Sequence, residues 1–148
     1  VFRWLIRFAD DARHAGRRRR EPLDFVTGRR AEDIAHRHLE SKGLTVIARN
    51  WRTPAGEEVD LIALDGDHTV FVEVKARTNV HENPERAIDA LKMRALRRAA
   101  QGWCRRKELP PERLRFDLVT VVFTEPPRLE HVRDAWTLRL SPDKPRIG

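Results

Sequence analysis

Glu73 and Lys75 stand two residues apart in TVFVEVKAR, a run from Thr69 to Arg77 that is otherwise mostly apolar and β-branched. In a β-strand, residues i and i+2 share a face, so Phe71, Glu73 and Lys75 lie on one side and Val70, Val72 and Val74 on the other. Charges set into such a strand must pair, find hydrogen bonds or hold a metal ion, because desolvation is otherwise too costly. A second acid arrives from the preceding strand. The segments EVDLIAL and TVFVEVKAR flank DGDH, a hairpin signal. If the turn closes symmetrically between Leu64 and Thr69, Asp60 faces Glu73 and Glu58 faces Lys75. A shorter Asp65-Gly66 turn shifts the pairing but keeps Asp60, Glu73 and Lys75 on one face.

Opposed carboxylates repel. One can take up a proton, or a divalent cation can sit between them. Mg²⁺ binds through one or two carboxylates and keeps its other positions for water and substrate phosphates. Lys75 beside such an ion would complete a phosphodiesterase: the metal polarises the phosphate and generates the nucleophile, and the ammonium meets the charge building on the phosphate. The same residues also fit a Glu–Lys and Asp–Arg salt-bridge ladder on a half-exposed face. Glu32 is a further acid, placed in the first turns of a helix expected to start near Gly28, adjacent to its apolar stripe. There it serves either the site or the helix dipole.

The elements that must position these groups follow from periodicity. RRAEDIAHRHLESKG carries Ala31, Ile34, Ala35, His38 and Leu39 on one stripe, with Gly43 as its stop. LTVIARNWR reads as a strand broken by TPAG, and the EVDLIAL and TVFVEVKAR strands follow. Residues 85–107 read as a long helix with Ile88, Leu91, Ala95, Ala99 and Trp103 inward, ended by LPPE. RLRFDLVTVVF and LEHVRDAWTL supply a fourth and a fifth strand. The order α-β-β-β-α-β-β indicates an α/β sandwich with a mixed sheet. Trp51, Trp103 and Trp136 read as core, and His81 and His131 as turn or core-edge residues.

Taken in order, GRRAEDIAHRHLESKGL, RNWR, GEEVDLIALDGDHTVFVEVKAR, KMRALRRAA, RFDLVTV and LEHVRDAW resemble the YraN-type uncharacterised protein family. Through it they resemble the PD-(D/E)xK, or restriction-endonuclease-like, superfamily, which includes the archaeal Holliday-junction resolvases. The resemblance runs from about Gly28 to Trp136. It implies a three-layer sandwich with about five strands flanked by helices, and a nuclease-type site. Asp60 matches the metal-binding aspartate, Glu73 and Lys75 the E-x-K pair, and Glu32 the helix glutamate of the first motif. Lys92 matches a lysine near the site. The cofactor implied is Mg²⁺ or Mn²⁺, and a homodimer is implied by the resolvases. GEEVD carries one glutamate more than the family's pattern; with Glu58-Val59-Asp60 aligned, Glu57 is the extra and the role of Glu58 is open.

The charge balance agrees with a polyanionic partner. Of 30 Lys and Arg residues only five are lysine, and the formal net charge is +7, which favours nucleic acid or an anionic surface. Residues 85–107 hold eight basic residues against Glu85 and Asp89, a balance of +6. Arg94, Arg97, Arg98 and Arg105 gather opposite the apolar stripe, where they could meet phosphates or simply form a solvated face. Arg77 could clamp a phosphate bidentately. The single Cys104 excludes an intramolecular disulfide and a multi-cysteine zinc site, which suits a reducing compartment. No apolar run approaches the roughly 20 residues of a membrane span, and Arg3 and Arg7 interrupt the N-terminal apolar segment, so a cytoplasmic protein without membrane insertion is expected. No Gly-rich phosphate loop and no serine or cysteine nucleophile stands out.

At 148 residues the chain suits one core with appendages. Residues 1–27 form an amphipathic helix and a basic linker, 28–140 the endonuclease-like domain, and 141–148 a tail. Three functions follow as expectations. The first is a metal-dependent endonuclease-like protein acting on DNA, branched or damaged forms included. The second is a non-catalytic nucleic-acid-binding module with the same fold. The third is an adaptor whose N-terminal helix docks a partner or a membrane.

Overall fold

A computed structural model describes residues 22–77 and 90–136. The expected N-terminal helix, the Arg17–Arg20 linker, His81, the 85–89 start of the second helix and the tail lie outside the described residues. Helix α1 runs Pro22–Ser41, several residues before the expected start at Gly28. Proline suits a first helical turn because its missing N–H would be unsatisfied there anyway. Glu32 is therefore mid-helix, where a charge–dipole role no longer accounts for it. Ala31, Ala35 and Leu39 bury one stripe of α1. The helix closes on Gly43 (φ 88), with Leu44 N–H donating to the Leu39 carbonyl and Gly43 N–H to that of Glu40, both at 3.0 Å. Those two bonds are a Schellman cap, which favours glycine at the left-handed position.

Five strands form one mixed sheet in the order β1-β2-β3-β4-β5: β1 Thr45–Arg52, β2 Glu58–Asp65, β3 His68–Arg77, β4 Leu114–Val122 and β5 Arg128–Trp136. β3 and β4 are parallel and the other neighbours antiparallel. A parallel pair needs a long crossover, and helix α2, Ala90–Lys107, lies within it. The β2–β3 hairpin pairs Leu64 with Thr69 and Asp65 with His68, as the symmetric turn requires. Gly66 (φ 59) takes the first central position, where a two-residue hairpin turn calls for a positive φ.

The two faces of the sheet carry separate cores, giving three layers. α1 packs through Ala31, Ala35 and Leu39 on Leu61, Ala63, Val70, Val72, Val119 and Val121. α2 packs through Leu96, Ala99, Ala100 and Trp103 on Trp51, Val59, Ile62, Phe71 and Phe116. Trp103 meets Trp51 edge-on at 5.3 Å and Phe71 at 6.3 Å between centroids, within the favoured range for aromatic pairs. Trp51 and Trp103 are thus core, as expected. Leu91 is not: it is 72% exposed. At ~100° per residue it sits about 120° around the helix from Trp103, and the buried stripe is Leu96, Ala99, Ala100, Trp103 and Cys104. Among the described residues, no helix is long and apolar enough to cross a membrane.

Candidate active site

The sheet changes character at Asp60. Between β1 and β2, Arg49 pairs with Leu61 and Trp51 with Val59 in one register, while Asn50 and Asp60 between them form no ladder pair. Between β2 and β3 the ladder stops at Leu61 with Val72, one pair short of Asp60 and Glu73. Leu61 packs in the α1-side core while Val59, two residues away, packs in the α2-side core. A regular strand would put both on one face, so the chain twists between them. Asn50 takes a positive φ of 47° at the same level. Asparagine tolerates that conformation better than most residues, and such backbone irregularities often mark a side chain that has been re-aimed.

The break aims Asp60 at β3. Its Oδ2 accepts the Val74 N–H at 2.8 Å. Burial, followed by the nearby Glu73 charge, pushes the Asp60 carboxyl up to about 7; Lys92 and the Val74 N–H act against this, and Glu32 adds a smaller push upward. Asp60 on β2 therefore feels the charge of Glu73 on β3 and of Glu32 on α1.

Glu73 is 2% exposed and lies between two ammonium groups. Lys75 Nζ is 2.9 Å from its Oε1 and Lys92 Nζ 3.1 Å from its Oε2. The second contact is an ion pair without hydrogen-bond geometry, since buried Oε2 accepts no hydrogen bond. Lys92 also donates to the Glu58 carbonyl at 3.2 Å. Glu32 Oε2 accepts from Asn50 Nδ2 at 3.1 Å and lies 3.8 Å from Arg49 Nη2. Arg49 itself bonds Asp33 at 2.6 Å.

The expected opposition of Glu58 and Lys75 does not form, because the ladder has ended before that level. Glu58 instead pairs with Arg52 at 2.8 Å, its neighbour in β1. Glu57 accepts from Thr53 and from Arg98 Nε at 2.8 Å, and the Thr53 bond leads the effects that lower its carboxyl below the ordinary value. The additional glutamate thus ties the β1–β2 turn to α2.

The basic residues divide. Lys92 turns inward to Glu73. Arg94, Arg98 and Arg105 are exposed and Arg97 is half-buried, and helical spacing puts Arg94, Arg98 and Arg105 opposite the buried stripe. The 18 residues of α2 contain no acid. Arg77 ends β3 beside Val122.

Two polar features escaped the sequence reading. Asn50 is one; its signal was an asparagine inside a run of β-branched and aromatic residues, a type depleted in strands. Asp117 is the other. It is fully buried, bonded by Arg115 at 2.8 and 3.0 Å, by His131 Nε2 at 2.8 Å and by the Asp134 N–H at 3.0 Å. Burial opposes its ionisation, but the His131 and Arg115 bonds and the Asp134 N–H outweigh it and hold the carboxyl below its ordinary value. His131 Nδ1 lies 3.3 Å from His38 Nε2, and burial, then His131 and Lys42, lower the His38 value. His131 thereby links α1 to the sheet, the core-edge role expected of it. This network accompanies a bulge in β5, where Asp134 has φ 51 and the register against β4 shifts.

A hard cation is what the carboxylates would suit. Asp60 and Glu73 offer oxygen donors, the strain on Asp60 is of the kind a cation relieves, and Glu73 Oε2 has no hydrogen bond to lose. Among the described residues, no group of three or more His, Cys, Asp or Glu side chains is close enough to hold an ion. A cation there would rest on these two carboxylates, with water and substrate making up the rest of its shell.

The profile of a family described as "Uncharacterised protein family UPF0102" matches residues 31–121. A UPF0102 protein of Solibacter usitatus is 46% identical over 122 residues, covering 81% of this chain and 91% of its own. Those of Paenarthrobacter aurescens and Geobacter sulfurreducens are 41% and 39% identical over 111 and 116 residues, covering 73% and 76% of this chain and 91% and 90% of theirs.

Proposed function

The chain belongs to the uncharacterised protein family UPF0102, and from that premise and the geometry around Asp60 we propose that it is a metal-dependent phosphodiesterase acting on DNA. The observation that carries the reading is the Asp60 carboxyl, which feels Glu73 from β3 and Glu32 from α1, beside a Glu73 that meets two lysines. Asp60 and Glu73 would hold Mg²⁺ or Mn²⁺, with Glu32 assisting through water. Once bound, the ion supplies Lewis-acid polarisation of the scissile phosphate and activation of water.

The protein's own groups do the rest. Lys75 lies at the rim of the site, half-buried, where its ammonium can meet charge developing on a phosphate oxygen. Asn50 and Arg49 orient Glu32. The outer face of α2, with Arg94, Arg98 and Arg105, offers sequence-independent phosphate contacts, and Arg77 extends the basic surface from the end of β3. Such contacts make binding strongly salt-dependent.

A second reading has its own support. Both Glu73 oxygens already face ammonium groups, as they would in a nucleic-acid-binding module that keeps its acids for folding. One assay separates the two: linear, nicked, flapped and four-way DNA with Mg²⁺ or Mn²⁺. The enzymatic reading expects cleavage of at least one form, lost in Asp60→Asn while binding persists. Binding without cleavage of any form, with Mn²⁺ present, decides for the module.

A further inference from the structure

Lys75 and Lys92 reach Glu73 by different routes. Lys75 belongs to the same strand, two residues on. Lys92 comes from the first described turn of α2 and divides its ammonium between Glu73 Oε2 at 3.1 Å and the Glu58 carbonyl at 3.2 Å. Of these two contacts the one to the carbonyl has hydrogen-bond geometry and the one to Glu73 does not, since buried Glu73 Oε2 accepts no hydrogen bond. Lys92 therefore serves that oxygen as a point charge, and a point charge can be exchanged for another cation without sacrificing a directional bond.

The charge balance points the same way. Glu73 is matched by Lys75 and Lys92, whereas Arg49 near Glu32 is shared with Asp33. A divalent ion entering the site would share Glu73 with an ammonium 3.1 Å from one of its oxygens, and two cations drawn to one carboxylate repel. The Lys92 side chain is 29% exposed, so it has a way out towards solvent.

We infer that Lys92 is a resident counter-ion of Glu73 which a divalent cation displaces, and that the released ammonium turns to the phosphate of the substrate. This rests on the metal-dependent reading above. It assigns Lys92 two positions, one holding the metal-free site together and the other available to nucleic acid only after the ion has entered.

The test is Mn²⁺ binding to the full chain at pH 8.5 without nucleic acid, followed by loss of the free-Mn²⁺ electron paramagnetic resonance signal. Lys92→Gln should bind Mn²⁺ roughly tenfold tighter than the wild type, about 1.4 kcal/mol, while Lys92→Arg, which keeps the charge, should bind no tighter. Wild-type binding with equal or weaker binding by Lys92→Gln overturns the displacement and leaves the metal-dependent reading standing. Absence of binding in both overturns that reading and the displacement with it. A second arm needs no variant: the ¹³Cε signal of Lys92 should shift on Mg²⁺ titration of the wild type. An unmoved signal at saturating Mg²⁺ overturns the displacement.

Discussion

Asp60→Asn should make the metal-free protein more stable at neutral pH, although it removes a residue central to the site. The folded carboxyl titrates near 7 against an ordinary 3.8, chiefly because of burial and then Glu73. For an acid with a raised folded value, the folded state holds the extra proton between those limits, so stability falls as pH rises from about 4 to about 7 and stays low above. The gap of about 3 units, at 1.36 kcal/mol each, amounts to about 4 kcal/mol at pH 7.5. By the same arithmetic only about 2 kcal/mol has been lost at pH 5. Asparagine keeps an oxygen for the Val74 N–H and carries no charge, so it should recover much of the difference. The expected gain at pH 7.5 is on the order of 2–4 kcal/mol, or roughly 5–15 °C in Tm for a chain of this size, and it should shrink markedly at pH 5. Urea and thermal melts at both pH values, with chelator present, measure it. A variant that is less stable than the wild type at pH 7.5, or offset equally at both pH values, would show that Asp60 is not a strained carboxylate. Added Mn²⁺ should then raise the wild-type Tm and leave the variant unmoved.

Other perturbations probe the supports of the site. Trp103→Ala removes the ring that meets Trp51 and Phe71 and should cost about 3–5 kcal/mol in urea unfolding. Asp117→Asn removes the bidentate acceptor of Arg115, which keeps Asp65 at 2.7 Å, and should cost about 1–3 kcal/mol. Because the folded Asp117 value is depressed, the stability it contributes is present above about pH 4 and lost as pH falls through the lowered value; the variant's unfolding curve should lack that acid limb. His38 is also depressed, so a separate loss should begin just below its ordinary 6.5 in both proteins. Gly102→Ala should stabilise α2 by about 0.5–1 kcal/mol in the same melts, since a Cβ there meets nothing within 4 Å.

Alternation along β3 and the hairpin between Leu64 and Thr69 were enough to bring Asp60, Glu73 and Lys75 together, because turn chemistry fixes register and register fixes faces. The order of elements was equally legible, since each strand was bounded by its own turn or breaker residues. Two things were not. A stripe through Leu91 advances by repeated steps of four residues, which drift about 40° per step around a helix. Lys92, one residue on, is consequently the side chain that the helix turns towards Glu73.

The other hidden feature is the twist itself. Strict alternation would carry Glu58 on to face Lys75, yet Arg52 takes Glu58 and Val59 moves into the opposite core from Leu61. That exchange coincides with a left-handed backbone at Asn50 in the neighbouring strand, whose side chain bonds Glu32 on α1, a partner no single segment discloses. A regular ladder would pair Asp60 with Glu73 and Asn50 with Asp60, and the two helices would be kept on opposite faces of an unbroken sheet. With the ladder interrupted, a carboxylate from α1 and an ammonium from α2 can both act on the same aspartate. The local irregularity is where groups from all three layers come to act on one carboxylate.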